Sequence, residues 1–163
     1  MDISGFRSGD EGTLISDNAS ALIREGAAYW TEKCDGRRMP HRRDIDPLDI
    51  RRLLGNVVLL DVLRDPLDFV ERITGETVQY HNHRNYMGTP WRELSERGPE
   101  SKIFQFFQSI VDSRMPRYDS VPYVGPHKHF LRVEVLACPL SDDQDEVYKI
   151  LSYVDYRPRT DLI

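Results

Sequence analysis

The sequence predicts an antiparallel α+β domain, a sheet covered by helices on one face. Two short apolar runs, Val57 to Leu63 and Phe69 to Thr74, flank the turn-forming Arg64-Asp65-Pro66-Leu67-Asp68, which is hairpin spacing rather than crossover spacing. From Arg117 onward the apolar period is two, giving three more strands. A helical stretch separates the groups, and strands at both ends with helices between exclude a simple alternating parallel α/β fold. The first and last strands are then expected to meet in mid-sheet.

A chain of 163 residues fits one domain, and at that size about 70% of the unfolded chain's surface can be buried without a disulfide or metal to hold it. The net charge of −5 argues against a general nucleic-acid binder, because phosphate affinity rests on a positive field. Cys34 and Cys138 are far apart and lack metal-ligand spacing, so a reducing, cytoplasmic setting is expected. The N-terminus lacks the apolar run of a signal peptide, and no later run approaches the ~18 apolar residues of a membrane span.

Residues 1–13, rich in Gly, Ser and acid, are expected to form a flexible or partner-docked arm. A helical extension is expected over 14–56 and the strand-bearing core over 57–158, the whole of 14–158 making one structural domain. Ser16 or Asp17 can cap a helix carrying Leu22, Ile23, Ala27 and Trp30 at helical spacing, and Asp35-Gly36 supplies its stop. That Trp30 stripe can dock on its own domain or mediate a homodimer. Asp46 followed by Pro47 is a helix start, and Gly55-Asn56 its end.

Beyond Gly75, periodicity weakens, and short helical turns are expected through Leu94. A longer helix follows from Glu100 to Arg114, on the apolar face of Ile103, Phe104, Phe107, Ile110 and Val111. The last strands are expected over Tyr118 to Val124, from His129 to Cys138, and over Val147 to Tyr156.

The element order resembles the PAS fold, and particular residues narrow the resemblance. Tyr29-Trp30, Met39-Pro40, Arg43-Asp44-Ile45-Asp46-Pro47, Leu53, Asp68-Phe69, Arg72 with Gly75, Met87-Gly88 and Pro139-Leu140-Ser141-Asp142-Asp143 are similar to the pattern of a stand-alone PAS-like family of alphaproteobacteria, formerly a domain of unknown function. The resemblance runs from Leu22 to Tyr156. It implies a five-stranded antiparallel sheet in the order 2-1-5-4-3, helices on one face, and a sensory or protein-interaction role. Two positions depart from the pattern: Glu71 stands where an aromatic is usual, and Glu76 where a small hydroxyl residue is usual.

A PAS-like fold places any cavity between sheet and helices, so lining candidates are Phe69 and Ile73, then Tyr80, Tyr86 and Trp91, then Phe104, Phe107, Leu131 and Val133. Pocket and core share one composition, so many of these are expected to be plain core. Arg72 offers a cationic donor beside a close-approaching backbone at Gly75, or alternatively a surface ion pair beside a permissive turn. His81 and His83 fall in the expected roof, where imidazole can orient a ligand. His-x-His spacing does not converge on a helix, so neither haem nor a metal is favoured there. His127 and His129 share a strand face but lack an identifiable third ligand.

Four arginines in Arg37 to Arg43 can hold a phosphate or nucleotide, or simply be solvated. No nucleophile elbow, phosphate-cradling glycine loop or zinc-protease motif is present, so no catalytic residue is assigned. The expected function is that of a non-catalytic sensory or protein-interaction module, binding a small ligand or a partner in signal transduction. The rival is a small enzyme of a cone-like α+β fold, with His81 or His129 as base against a carboxylate.

Overall fold

A computed structural model describes residues 15, 18–123, 125–127 and 129–158, apart from the side chain of Leu131. The arm expected over 1–13 lies outside these residues. Five strands, β1 (Val57–Leu63), β2 (Asp68–Thr74), β3 (Arg117–Pro122), β4 (Phe130–Leu140) and β5 (Lys149–Pro158), form one antiparallel sheet in the order β2-β1-β5-β4-β3. The first and last strands do meet, Val57 opposite Tyr153 and Asp61 opposite Lys149.

Helices α2 (Glu76–His81) and α3 (Lys102–Ser113) lie on the inner face. Ser101 begins α3 by accepting the Phe104 N–H at 3.2 Å, and Arg114 ends it in the left-handed region. Phe104, Phe107 and Ile110 are its buried stripe.

Helix α1 (Ala21–Cys34) covers the opposite face, because Tyr153, which meets Gly26 of α1, lies between Ser152 and Val154 on the alternating strand β5, and those two face α2 and α3. Its cap is Ser20, accepting the Ile23 N–H at 3.2 Å, later than the Ser16 or Asp17 expected. The reason is tertiary: the Ser20 backbone N–H donates to Glu134 on β4 at 3.2 Å, which fixes where the helix can begin. Trp30 is buried and donates its indole N–H to the Pro139 carbonyl at 2.9 Å, so the stripe docks on its own domain.

The helix expected after Asp46 is a turn followed by a 3-10 segment, Arg51–Asn56. Asp46 only closes the turn, accepting the Leu48 N–H at 2.9 Å, and because Leu48 and Leu54 stay exposed, too narrow an apolar face remains to hold a longer helix on the sheet. Gly75 then begins α2 in close contact with that segment: an added Cβ would run into the backbone carbonyls of Gly55 and Leu54. Gly75→Ala is therefore expected to cost about 1–3 kcal/mol, read as a lower urea midpoint at unchanged slope.

Candidate functional site

Between the inner sheet face and α2 and α3 lies a cavity of about 630 Å³, a size that suits a small organic molecule. Alternation dictates its floor: Val58 and Leu60 on β1, Val133 and Val135 on β4, and Ser152, Val154 and Tyr156 on β5. Val78 and His81 of α2 and Ile103, Phe106 and Phe107 of α3 roof it, and Tyr86 and Trp91 close one side. Leu60, Glu71, Trp91 and Ser152 are buried, whereas His83, Glu96, Lys102, Ile103, Val121 and Pro122 are exposed. The cavity therefore has a buried end and an exposed mouth between the start of α3 and the end of β3.

A β-bulge shapes the buried end. Leu59 pairs with Ile73 and Leu60 with Glu71, so Arg72 is an extra residue on β2. The slip turns Glu71 and Thr74 to one side, and the Thr74 hydroxyl donates to Glu71 Oε2 at 2.7 Å. Arg97, arriving from the loop before α3, donates to Glu71 Oε1 at 2.9 Å. Its guanidinium lies 4.0 Å from the ring centre of Tyr86 and 5.1 Å from that of Trp91, a cation-π arrangement that holds a desolvated cation in place. Glu71 is only 2% exposed. Such a carboxylate is tolerable because it is both ion-paired and hydrogen-bonded.

Trp91 is positioned from behind. Asp68, opening β2, accepts the Arg92 N–H at 3.1 Å and fixes the turn, while Phe69 and Phe107 pack on the indole at centroid distances of 5.2 and 5.3 Å. Two residues of the lining each carry a buried polar atom without a hydrogen-bond partner among the described residues, the Trp91 Nε1–H and the Ser152 hydroxyl, and each residue is 1% exposed. A buried donor left unmade costs about 1–3 kcal/mol.

His81 packs among rings: Tyr156 at 3.9 Å between centroids, Phe130 at 4.6 Å and His127 at 5.2 Å. Its Nδ1 is 3.5 Å from the Tyr123 hydroxyl, and Tyr80 stacks on His127 at 4.3 Å. Burial lowers the His81 pKa from its ordinary 6.5, and the neighbouring His127 and His129 lower it further. Below pH 6.5 the unfolded chain thus takes up a proton that the folded chain refuses, so stability falls as pH drops from 6.5 toward the lowered folded value. The melting temperature of the native chain is expected to fall more steeply between about pH 7 and pH 5.5 than that of His81→Phe, followed by circular dichroism.

Six of the expected positions line this cavity: His81, His83, Tyr86, Trp91, Phe107 and Val133. Phe69 and Phe104 instead form the core behind Trp91, with rings 5.1 Å apart. Ile73 is 48% and Tyr80 64% exposed, Ile73 because the bulge reverses its face and Tyr80 because its side of α2 points away from the sheet. Arg72 faces out and pairs with Asp61 at 2.5 Å, and Gly75 is a packing position, so the surface ion pair and the tight turn describe them. The side chain of Leu131 lies outside the described atoms.

Glu71, Arg97 and Ser152 were absent from the expected lining. Ser152 shares the alternation of β5 with Val154 and Tyr156, a signal readable once the strand order is known. Arg97 carries no local signal at all.

Among the described residues, no group of three His, Cys, Asp or Glu side chains is placed to hold a metal ion. The basic loop is committed to its own neighbourhood. Arg37 donates to the Cys34 and Lys33 carbonyls at the end of α1 and to Asp44, while Arg38 reaches the Ser113 carbonyl and Arg42 the Ile45 carbonyl. Both cysteines are free and buried, and burial pushes the Cys34 thiol up to about 12, which leaves it a poor nucleophile. Among the described residues no helix is long and apolar enough to cross a membrane.

Comparison with known proteins bears on the whole arrangement. No curated protein matches the chain significantly. A family model described as a PAS domain matches residues 19–154. That span contains the five strands to within a few residues, the cavity's roof and the docked N-terminal helix, and the chain belongs to the PAS domain family, a family of sensory and interaction modules.

Proposed function

We propose that this domain is a sensor that takes a small, mostly apolar molecule into the cavity between the sheet and α2 and α3, and reports its presence to a protein partner. The cavity itself is the observation that supports this reading: about 630 Å³ walled largely by aliphatic and aromatic side chains, with the Glu71–Arg97 pair at its buried end. Binding would bias the packing of α2, α3 and the β3–β4 edge, and a partner would read the shifted population. The ligand is bound and released unchanged. An enzyme using His81 or His129 needs a carboxylate against the ring, whereas His81 sits against Tyr123, Tyr156 and Phe130.

The partner surface is not the Trp30 stripe of α1, which the domain's own sheet covers. A homodimer through α1 would have to use its outward residues, Ala21, Arg24, Glu25, Ala28 and Glu32. Two buried free thiols suit a reducing compartment such as the cytoplasm.

Native mass spectrometry of the protein purified from its own host tests the sensor reading. A stoichiometric small-molecule adduct, lost on denaturation, is the expected result. Adding that molecule back at about 100 times its Kd should raise the melting temperature by about 5–10 °C. Recovery of the bare polypeptide, with no small molecule that raises the melting temperature, would remove the sensor and leave an interaction module.

A further inference from the structure

Helix α2 helps to roof the cavity and is held to the domain unequally at its two ends. Its start is fixed: the Gly75 N–H donates to the Val57 carbonyl of β1 at 2.7 Å, and Gly75 packs directly on the Gly55 and Leu54 carbonyls. Only Val78 and His81 of its six residues are buried, and both line the cavity. The far end is therefore held by His81, whose ring sits against Tyr156 of β5, Phe130 of β4, and Tyr123 and His127 of the β3–β4 connection. His127 adds a second contact, stacking on Tyr80 and donating its Nε2–H to the Tyr80 carbonyl at 3.0 Å.

The titratable groups that face His81 are Tyr80, Tyr123, Tyr156, His127 and His129, and no carboxylate among the described residues pairs with it. A proton on His81 would thus lie in a seat only 7% exposed, without a counter-ion and beside two imidazoles that can only repel it. We propose that α2 is a flap hinged at Gly75, and that acid, by protonating His81, frees its far end and opens the cavity roof. The motion itself needs no ligand; its consequence, faster exchange of whatever the cavity holds, rests on the sensor reading above.

A released helix of six residues has too few bonds to persist in water, so opening unravels it. Burial lowers the His81 pKa in the closed form, whereas the open form returns it toward its ordinary 6.5. Protons below that value therefore favour the open form, and its population is expected to rise about three- to tenfold between about pH 7.5 and pH 5.5.

Hydrogen exchange on the full chain reads that population. The Gln79 and Asn82 amides, bonded to the Gly75 and Gln79 carbonyls at 3.0 and 3.2 Å, report on α2. Amides of β1 and β5 report on the whole domain. After correction for the intrinsic rate, exchange at Gln79 and Asn82 is expected to quicken about three- to tenfold over this pH range. It should also respond weakly to urea, because a local opening exposes little surface, whereas exchange in β1 and β5 responds steeply. In His81→Phe, which keeps a ring in the seat, the acid response at Gln79 and Asn82 is expected to vanish.

Exchange at Gln79 and Asn82 that matches β1 and β5 in rate and urea response overturns the flap, since α2 would then open only with the whole domain. An acid response that is absent from the native chain, or that survives in His81→Phe, overturns the role of His81. Should His81→Phe fail to fold, the titration of the His81 ring protons in the native chain decides: a midpoint below 6.5 is expected, and one at or above it overturns the proposal. Each of these failures leaves the cavity and the sensor reading standing.

Discussion

Glu71→Ala is expected to destabilise the domain by about 3–5 kcal/mol, the range seen when one partner of a buried ion pair is removed. The cost arises because Arg97 and the Thr74 hydroxyl lose the acceptor that justifies their positions, and Arg97 remains clamped beside Tyr86 and Trp91 with little water to replace it. Urea denaturation measures the loss. The double variant Glu71→Leu with Arg97→Met is expected to recover much of it, since apolar groups of similar volume can fill the space without a desolvation penalty. A double variant no more stable than Glu71→Ala would show that the pair is not energetically coupled.

Glu134→Ala is expected to cost about 3 kcal/mol or more and to loosen α1 selectively. Glu134 is 1% exposed and joins three parts of the chain. Its Oε1 accepts the Ser20 N–H at 3.2 Å and the Tyr118 hydroxyl at 2.6 Å, and its Oε2 accepts from Arg157 at 2.5 Å. Arg157 is open enough to water to find other partners, so most of the cost comes from the stranded Ser20 amide and Tyr118 hydroxyl. Burial and then the bond to Glu134 hold the Tyr118 phenol above its ordinary pKa.

Hydrogen exchange should therefore accelerate in α1 far more than in β1 or β5, and Trp30 emission should shift to the red as its pocket opens. Glu134→Gln, which keeps an acceptor for one of these donors, should lie between the two. Uniform acceleration through the sheet would mean that Glu134 supports the whole core rather than the seat of α1.

The two acids differ in how legible they were. Glu71 stood out in the sequence as a departure from the family pattern, but its side of the sheet could not be read from alternation. A regular β2 places Phe69, Glu71 and Ile73 on one face and Thr74 on the other. The bulge at Arg72 breaks that rule, bringing Thr74 beside Glu71 and sending Ile73 to the surface. The chain offers no glycine or proline within β2 to announce the bulge. Glu134 carries no comparable signal in the sequence, and it is the docking of α1, through the Ser20 N–H, together with Tyr118 and Arg157, that encloses it.

What the sequence determined by itself is the kind and order of the five strands and of the two long helices, though not of the segment after Asp46. Apolar periods of two and 3.6 are local properties, strong enough in Val57–Leu63, in Ile103 to Val111 and in the last three strands to outweigh everything else. The grouping of strands at both ends then leaves few topologies, which is why the antiparallel sheet and the meeting of its first and last strands were within reach. What only the tertiary structure decided is which residues share the cavity. The bulge in β2, the face chosen by α1, and the reach of Arg97 across 26 residues to Glu71 are set by packing between segments distant in sequence, and no local pattern encodes them. The hairpin from Val57 to Thr74 is thus fixed by pattern, while the burial of its Glu71 carboxylate is fixed by the rest of the fold.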